Sequence, residues 1–221
     1  MSAIPITPRG KTRRPPPATR SVEETALLVR ILARSLGDED AADAANRLMR
    51  RFGSVSAAVS ADRGELGRTG LAPASIADCR LARDLAVALA RVEASRQPLV
   101  SSWTELIDYL RAALAHAPRE QFRTLYLDKK NRLLADELTA DGTVDHAPVY
   151  PRELVRRGLE LNASALILVH NHPSGDPSPS EADIVMTRRI IEASRALDLV
   201  VHDHVVVARE GVFSFRARGL L

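Results

Sequence analysis

The sequence predicts an α/β domain preceded by a small all-α domain, on three observations. Apolar residues recur at helical spacing through residues 21–95. At residues 121–128 the period changes to two. From there strand and helix patterns alternate to the end of the 221-residue chain.

In the first half, Leu27, Leu28, Ile31, Leu32 and Leu36 form an apolar stripe, Ser21 and Glu24 have capping-box spacing, and Gly37 is a stop. A second helix is expected over 41–52, with Ala45, Leu48, Met49 and Phe52 inward and Gly53 ending it. A short helix is expected over 55–60. Residues 67–73 interrupt the pattern, and a long Ala/Leu/Arg helix follows over 73–95. This half holds no histidine.

Gln97-Pro98 is the linker. A helix over 102–115 precedes a hairpin of strands 121–128 and 132–138 around Asp128-Lys129-Lys130-Asn131. Pro151 opens a helix with Leu154, Val155 and Leu159 on its apolar side. Residues 165–171 begin as an unbroken apolar run, the pattern of a central strand. A helix over 180–197 and strands over 199–207 and 212–215 complete the chain. The expected division is a disordered basic, Pro-rich tail (1–20), a helical domain (21–96) and the α/β domain (99–221).

Charge and cysteine content narrow the function classes. Lys and Arg number 31 against 28 acidic residues, but residues 1–20 alone carry five basic residues and no acid. The remainder is slightly acidic, so weak, non-specific nucleic-acid contact is expected only of the tail. Gly10-Lys11-Thr12 in that tail looks like the end of a P-loop, but Pro5 stands where the motif needs its first glycine. The one cysteine, Cys79, excludes a disulfide framework and a Cys-rich zinc finger. A cytoplasmic location is expected, with no membrane partner, since no apolar run approaches about 20 residues.

The chemistry is concentrated in residues 170–183, HNHPSGDPSPSEAD. His170 and His172, two apart at a strand end, project from one face and can serve one metal. Ser178, Pro179 and Glu181 are expected to cap the next helix, with Ser180 and Asp183 sharing one face of its first turns. Two imidazoles and the Asp183 carboxylate leave a fourth direction open, the ligand count of a catalytic zinc site. Ser180 is placed to hydrogen-bond a water or oxyanion. Glu120, at the entry of the first strand, is the candidate general base; Glu137 and Glu153 are the competing acids. His202 and His204, on an apolar late strand, are expected as a core or ligand-supporting pair.

The spacing His170-x-His172-Pro173, then Ser180 and Asp183, resembles the JAMM (MPN-plus) metalloprotease motif. With Asn171 between the histidines and Pro-Ser-Gly-Asp-Pro after them, it resembles the RadC family within that group. Tyr126-Leu127-Asp128-x-x-Asn131-Arg132-Leu133, Pro151-Arg152-Glu153, Asn162-Ala163-x-Ala165 and Asp203-His204 agree. The resemblance is strong over 100–221 and weaker over 21–95. It implies a cytidine-deaminase-like α/β fold, zinc on His170, His172 and Asp183, Ser180 supporting the water, and Glu120 as catalytic carboxylate. The helical half of such proteins carries a helix-hairpin-helix; here Ala72 replaces its second glycine and no Lys follows Pro73, so the element is degenerate. Three other zinc or nuclease classes do not fit. The histidines are not arranged as in HNH nucleases, a deaminase needs a Cys-x-x-Cys pair, and no His-Glu-x-x-His is present.

Two functions are compatible with these residues. One is a zinc metallopeptidase of the JAMM type acting on a peptide or isopeptide bond of a peptide or protein substrate. The other is a non-catalytic DNA-repair-associated or nucleic-acid-binding adaptor retaining the fold. The complete set of His170, His172, Asp183, Ser180 and Glu120 favours the first.

Overall fold

Residues 17–95, 103–142 and 149–221 are described by a computed structural model. Five helices come first: α1 (Pro17–Leu36), α2 (Asp38–Phe52), α3 (Val55–Ser60), α4 (Arg63–Gly67) and α5 (Pro73–Ser95). Then follow α6 (Trp103–Leu114), β1 (Gln121–Leu127), β2 (Leu133–Asp141), α7 (Pro151–Glu160), β3 (Ala165–Asn171), α8 (Glu181–Arg195), β4 (Val200–Val207) and β5 (Val212–Ser214). Among the described residues no helix is long and apolar enough to cross a membrane.

Leu28, Leu32, Ala45, Leu48, Leu66, Ile76 and Cys79 close an apolar core among α1–α5. Gly37 and Gly53 end α1 and α2 with positive φ, +78° and +77°, which glycine adopts without strain. Two expectations are corrected here. α1 begins at Pro17, so Ser21 lies inside the helix and is not its cap; proline at a first turn is pre-set for helix and gives up no bonded N–H. Glu24 accepts from the Val55 amide at 3.0 Å and ties α1 to the start of α3. Leu27 is half exposed, while its neighbour Leu28 is fully buried. α4 was not expected; Asp62 caps it by accepting from Glu65 N at 2.7 Å. Residues 1–16 of the tail and the Gln97-Pro98 linker lie outside the described residues.

The five-stranded sheet has the order β2-β1-β3-β4-β5. Only β3 and β4 run parallel, joined through α8. One face of the sheet (Leu125, Leu127, Ile167, Val169, Val205, Val207) packs on Leu106, Tyr109, Leu110 and Leu114 of α6. Val87, Ala90 and Ala94 of α5 join that core, so α5 contributes to both apolar cores. The other face (Phe122, Tyr126, Leu166, Leu168, Val201) packs on Leu154 of α7 and Ile190 of α8. β3 is buried at every residue, as a central strand covered on both faces requires.

Candidate metal centre

Strand parity places the histidines. Along β3, Ala165, Ile167 and Val169 face α6, so Leu166, Leu168 and His170 face the α7–α8 side. His172 follows in the same direction two residues on. The start of α8 lies on that side and brings Asp183 to them. Ligand atoms of His170, His172 and Asp183 all lie within 4.8 Å of one another. His170 Nε2 is 3.0 Å from His172 Nε2. Asp183 Oδ1 is 3.4 Å from His170 Nε2, and Asp183 Oδ2 is 3.6 Å from His172 Nε2.

The helix cap differs from the expectation. Ser180, not Ser178, is the N-cap of α8, and Asp183, not Glu181, completes the capping box. Ser180 Oγ accepts from Asp183 N at 3.2 Å and donates to Asp183 Oδ2 at 2.6 Å; Ser180 N donates to the same oxygen at 2.7 Å. Pro179 therefore precedes the helix. The reason lies one turn back, where Ser178 N donates to Asp176 Oδ1 at 2.9 Å, a local turn that holds Ser178 outside the helix. As placed, Ser180 orients the Asp183 carboxylate.

Partners behind the imidazoles assign their tautomers. Thr187 Oγ1 donates to Asp183 O at 2.6 Å, so at its 2.6 Å contact with His204 Nδ1 it accepts. Burial drives His204 well below the ordinary imidazole range, so it is neutral and carries only that one N–H. His204 Nε2 is then an acceptor, and His170 Nδ1 donates to it at 2.8 Å. His172 Nδ1 donates to the Asp176 carbonyl at 2.9 Å. With the N–H groups of both rings accounted for at Nδ1, the two Nε2 atoms face each other beside a carboxylate. In the neutral rings these Nε2 atoms carry the lone pairs, so both imidazoles and the carboxylate can donate to one cation. The donor set suits zinc: two imidazole nitrogens, one carboxylate, and second ring nitrogens bonded behind.

The titrating groups respond to the same arrangement. Burial pushes the Asp183 carboxyl up, but His170, His172 and Ser180 outweigh it and hold Asp183 well below the usual carboxylate range. The contact with Asp183 raises His172, burial opposes this, and the Asp176 carbonyl and the charges of Asp183 and Glu120 add to the rise.

Glu120 is half-buried at the entry of β1, and its carboxylate is one of the two charges acting on His172. Its backbone is held on three sides. Asn171 Oδ1 accepts from Gln121 N at 2.9 Å, Asn171 Nδ2 donates to Arg119 O at 3.0 Å, and Glu120 O accepts from Gly142 N at 3.0 Å. The competing acids are engaged elsewhere. Glu137 pairs with Arg157 (Nη2 to Oε1, 2.6 Å), and Glu153 accepts from Arg156 Nε at 3.1 Å.

Sequence reasoning used Asn171 only as a mark of the family resemblance and did not single out Thr187 or the direct contact of His204 with a ligand. Thr187 carried a legible signal, four residues after Asp183 on one helix face. His204 did not, because β4 carries a register shift. Leu166 pairs with Val201 and Ile167 with Asp203, so His202 is an extra residue. The shift turns His204 to the His170 side, while His202 bonds Asn131 Oδ1 at 2.7 Å. His202 and His204 therefore do not act as a pair.

A mixed sheet with an imidazole–imidazole–carboxylate cluster between a central strand and the next helix start has the organisation of a JAB/MPN-like domain. Residues 100–220 match the family model described as a RadC-like JAB domain, and the chain belongs to that family. A UPF0758 protein of Rhodobacter capsulatus is 52% identical over 196 residues, 88% of this chain and 92% of the relative. A UPF0758 protein of Ruegeria pomeroyi is 47% identical over 196 residues, 88% of each chain.

Proposed function

We propose that the protein is a zinc-dependent metallopeptidase of the JAMM type, hydrolysing a peptide or isopeptide bond. The observation that carries this reading is the convergence of His170, His172 and Asp183, whose ligand atoms lie within 4.8 Å of one another while each imidazole Nδ1 is bonded behind. His170, His172 and Asp183 would hold the ion. Zinc bound there supplies a Lewis acid that activates water and polarises a scissile carbonyl near neutral pH. Glu120 takes the proton of the attacking water and returns it to the leaving amine. Ser180 holds Asp183 in register and, by rotating its hydroxyl, donates to the developing oxyanion. His204 and Thr187 keep His170 in the tautomer whose Nε2 lone pair faces the centre.

The test is Glu120→Gln assayed with a panel of peptide and isopeptide substrates alongside the wild-type protein. The amide cannot accept a proton, so hydrolysis should be lost while zinc is kept. Wild-type turnover by Glu120→Gln would remove Glu120 from the reaction.

A further inference from the structure

The two imidazoles of the candidate centre are held differently. His170 lies within β3, and His204 of the neighbouring strand accepts from its Nδ1. His172 lies beyond the strand end, and its Nδ1 donates to the Asp176 carbonyl at 2.9 Å, four residues along the same loop. The His172 ring is therefore fixed only as firmly as residues 173–176 are. Within the loop, Gly175 N donates to His172 O at 3.1 Å and Ser178 N to Asp176 Oδ1 at 2.9 Å.

Anchorage from outside comes from one place. Among the described residues, every hydrogen bond that another strand or turn makes to residues 173–176 starts at the two-residue turn between β4 and β5. Arg209 Nη2 donates to Ser174 O at 3.1 Å and, more distantly, to Pro173 O at 3.4 Å. Glu210 N donates to Gly175 O at 3.1 Å. Three successive carbonyls thus face one turn, and two of them share a guanidinium whose charge strengthens such bonds. Gly175 permits the approach. Its φ is +104°, and a Cβ there would lie 3.3 Å from Arg209 Nη2 and 3.4 Å from Nε. The turn has a firm base: Ala208 N donates to Gly211 O at 2.9 Å, and Val207 and Ala208 are buried. Val207 also pairs with Asn171, and its carbonyl accepts from His172 N at 3.0 Å. β4 therefore fixes the His172 backbone, while the turn that follows fixes the loop to which the ring is bonded.

We propose that Arg209 is a positioning residue for His172. By holding the carbonyls of Pro173 and Ser174 it sets the Asp176 carbonyl, which takes the Nδ1–H of His172 and leaves the Nε2 lone pair aimed at His170 and Asp183. The inference rests on the reading of His172 as a metal ligand, but its first readout needs no metal. Arg209 is exposed, so it can be replaced without opening either apolar core.

Nitrogen NMR of the imidazoles tests this in chelator-treated full-length protein at about pH 9, where the rings are neutral. Wild-type His172 should show a single Nδ1–H tautomer. Arg209→Ala should show a mixture of both tautomers, with thermal unfolding close to wild type. Arg209→Lys keeps a cationic donor and should restore most of the wild-type pattern. Gly175→Ala should reproduce the mixture, because its Cβ crowds the guanidinium. Chelator competition should then show zinc held about tenfold more weakly by Arg209→Ala, the lower end of the cost of disturbing a partner behind a ligand. A wild-type tautomer in Arg209→Ala overturns the inference even where stability or zinc affinity falls, since such a loss would be structural only. Zinc binding by none of the proteins would defeat the metal reading alone, and the tautomer comparison would still decide the role of Arg209.

Discussion

The side-chain amide of Asn171 brackets Glu120. It accepts from the amide of Gln121 at 2.9 Å and donates to the carbonyl of Arg119 at 3.0 Å, while being 1% exposed. Alternation at the end of β3 sends His170 and His172 to one face and Asn171 to the other. One strand end thus holds two of the three imidazole and carboxylate groups of the centre and also fixes the backbone on either side of Glu120. The coupling is mechanical: both neighbours of Glu120 are bonded to the residue between the histidines.

Asn171→Ala should therefore separate placement of Glu120 from the metal ligands. The variant removes two part-buried hydrogen bonds, to Gln121 N and Arg119 O, worth about 0.5–1.5 kcal/mol each. Urea unfolding should show that loss. Elemental analysis should show zinc retained, and hydrolysis should fall far more than stability does. A variant as active as wild type would show that Glu120 needs no bracket.

His204→Ala should weaken zinc binding by about 10–100-fold, the usual cost of removing the partner of a ligating imidazole. The mechanism is loss of the acceptor for His170 Nδ1–H, which sets the tautomer. His204→Gln offers an oxygen acceptor in its place and should recover part of the affinity. Competition with a chromogenic chelator measures all three proteins. Equal affinities in wild type and His204→Ala would sever His204 from the centre.

Glu137 supplies the control. Its hydrogen bonds with Arg157 hold the carboxyl below its ordinary 4.5, against a smaller upward push from burial. A depressed carboxyl stabilises the fold above its ordinary pKa, and that contribution disappears as pH falls through the folded value. Glu137→Gln should be slightly less stable than wild type at pH 7, with the difference shrinking below pH 4.5. Zinc content and hydrolysis should not change. Chemical denaturation at pH 7 and pH 3.5 reads the first expectation, and loss of hydrolysis would return Glu137 to the list of general bases.

Local signals located most of the fold. Val55–Ser60, Pro73–Ser95 and Ala165–Asn171 have the ends their sequences announce, because Ser54, Pro73 and the apolar run of β3 are strong local punctuation. α4 escaped because Gly64 and Gly67 dilute a five-residue helix that depends on the Asp62 cap. The start of α8 was read one frame too early, at 178–181, because the 180–183 frame has the same capping pattern. Asp176 decides between them by holding Ser178 N. At the centre, His170, His172 and Asp183 were legible from spacing alone. Their supports were not, since His204 reaches His170 only through an extra residue in β4, and Asn171 reaches Arg119 and Gln121 only through pairing of β1 with β3. Such contacts arise between elements distant in sequence, where no periodicity records them.

The most direct measurement is the zinc content of purified wild-type protein and of His170→Ala, by elemental analysis. The account predicts about one zinc per chain in the wild type, the stoichiometry of a single three-ligand site, and almost none in His170→Ala. Equal zinc in the two proteins, or none in either after purification without chelator and reloading with the metal, would contradict a metal centre at His170, His172 and Asp183.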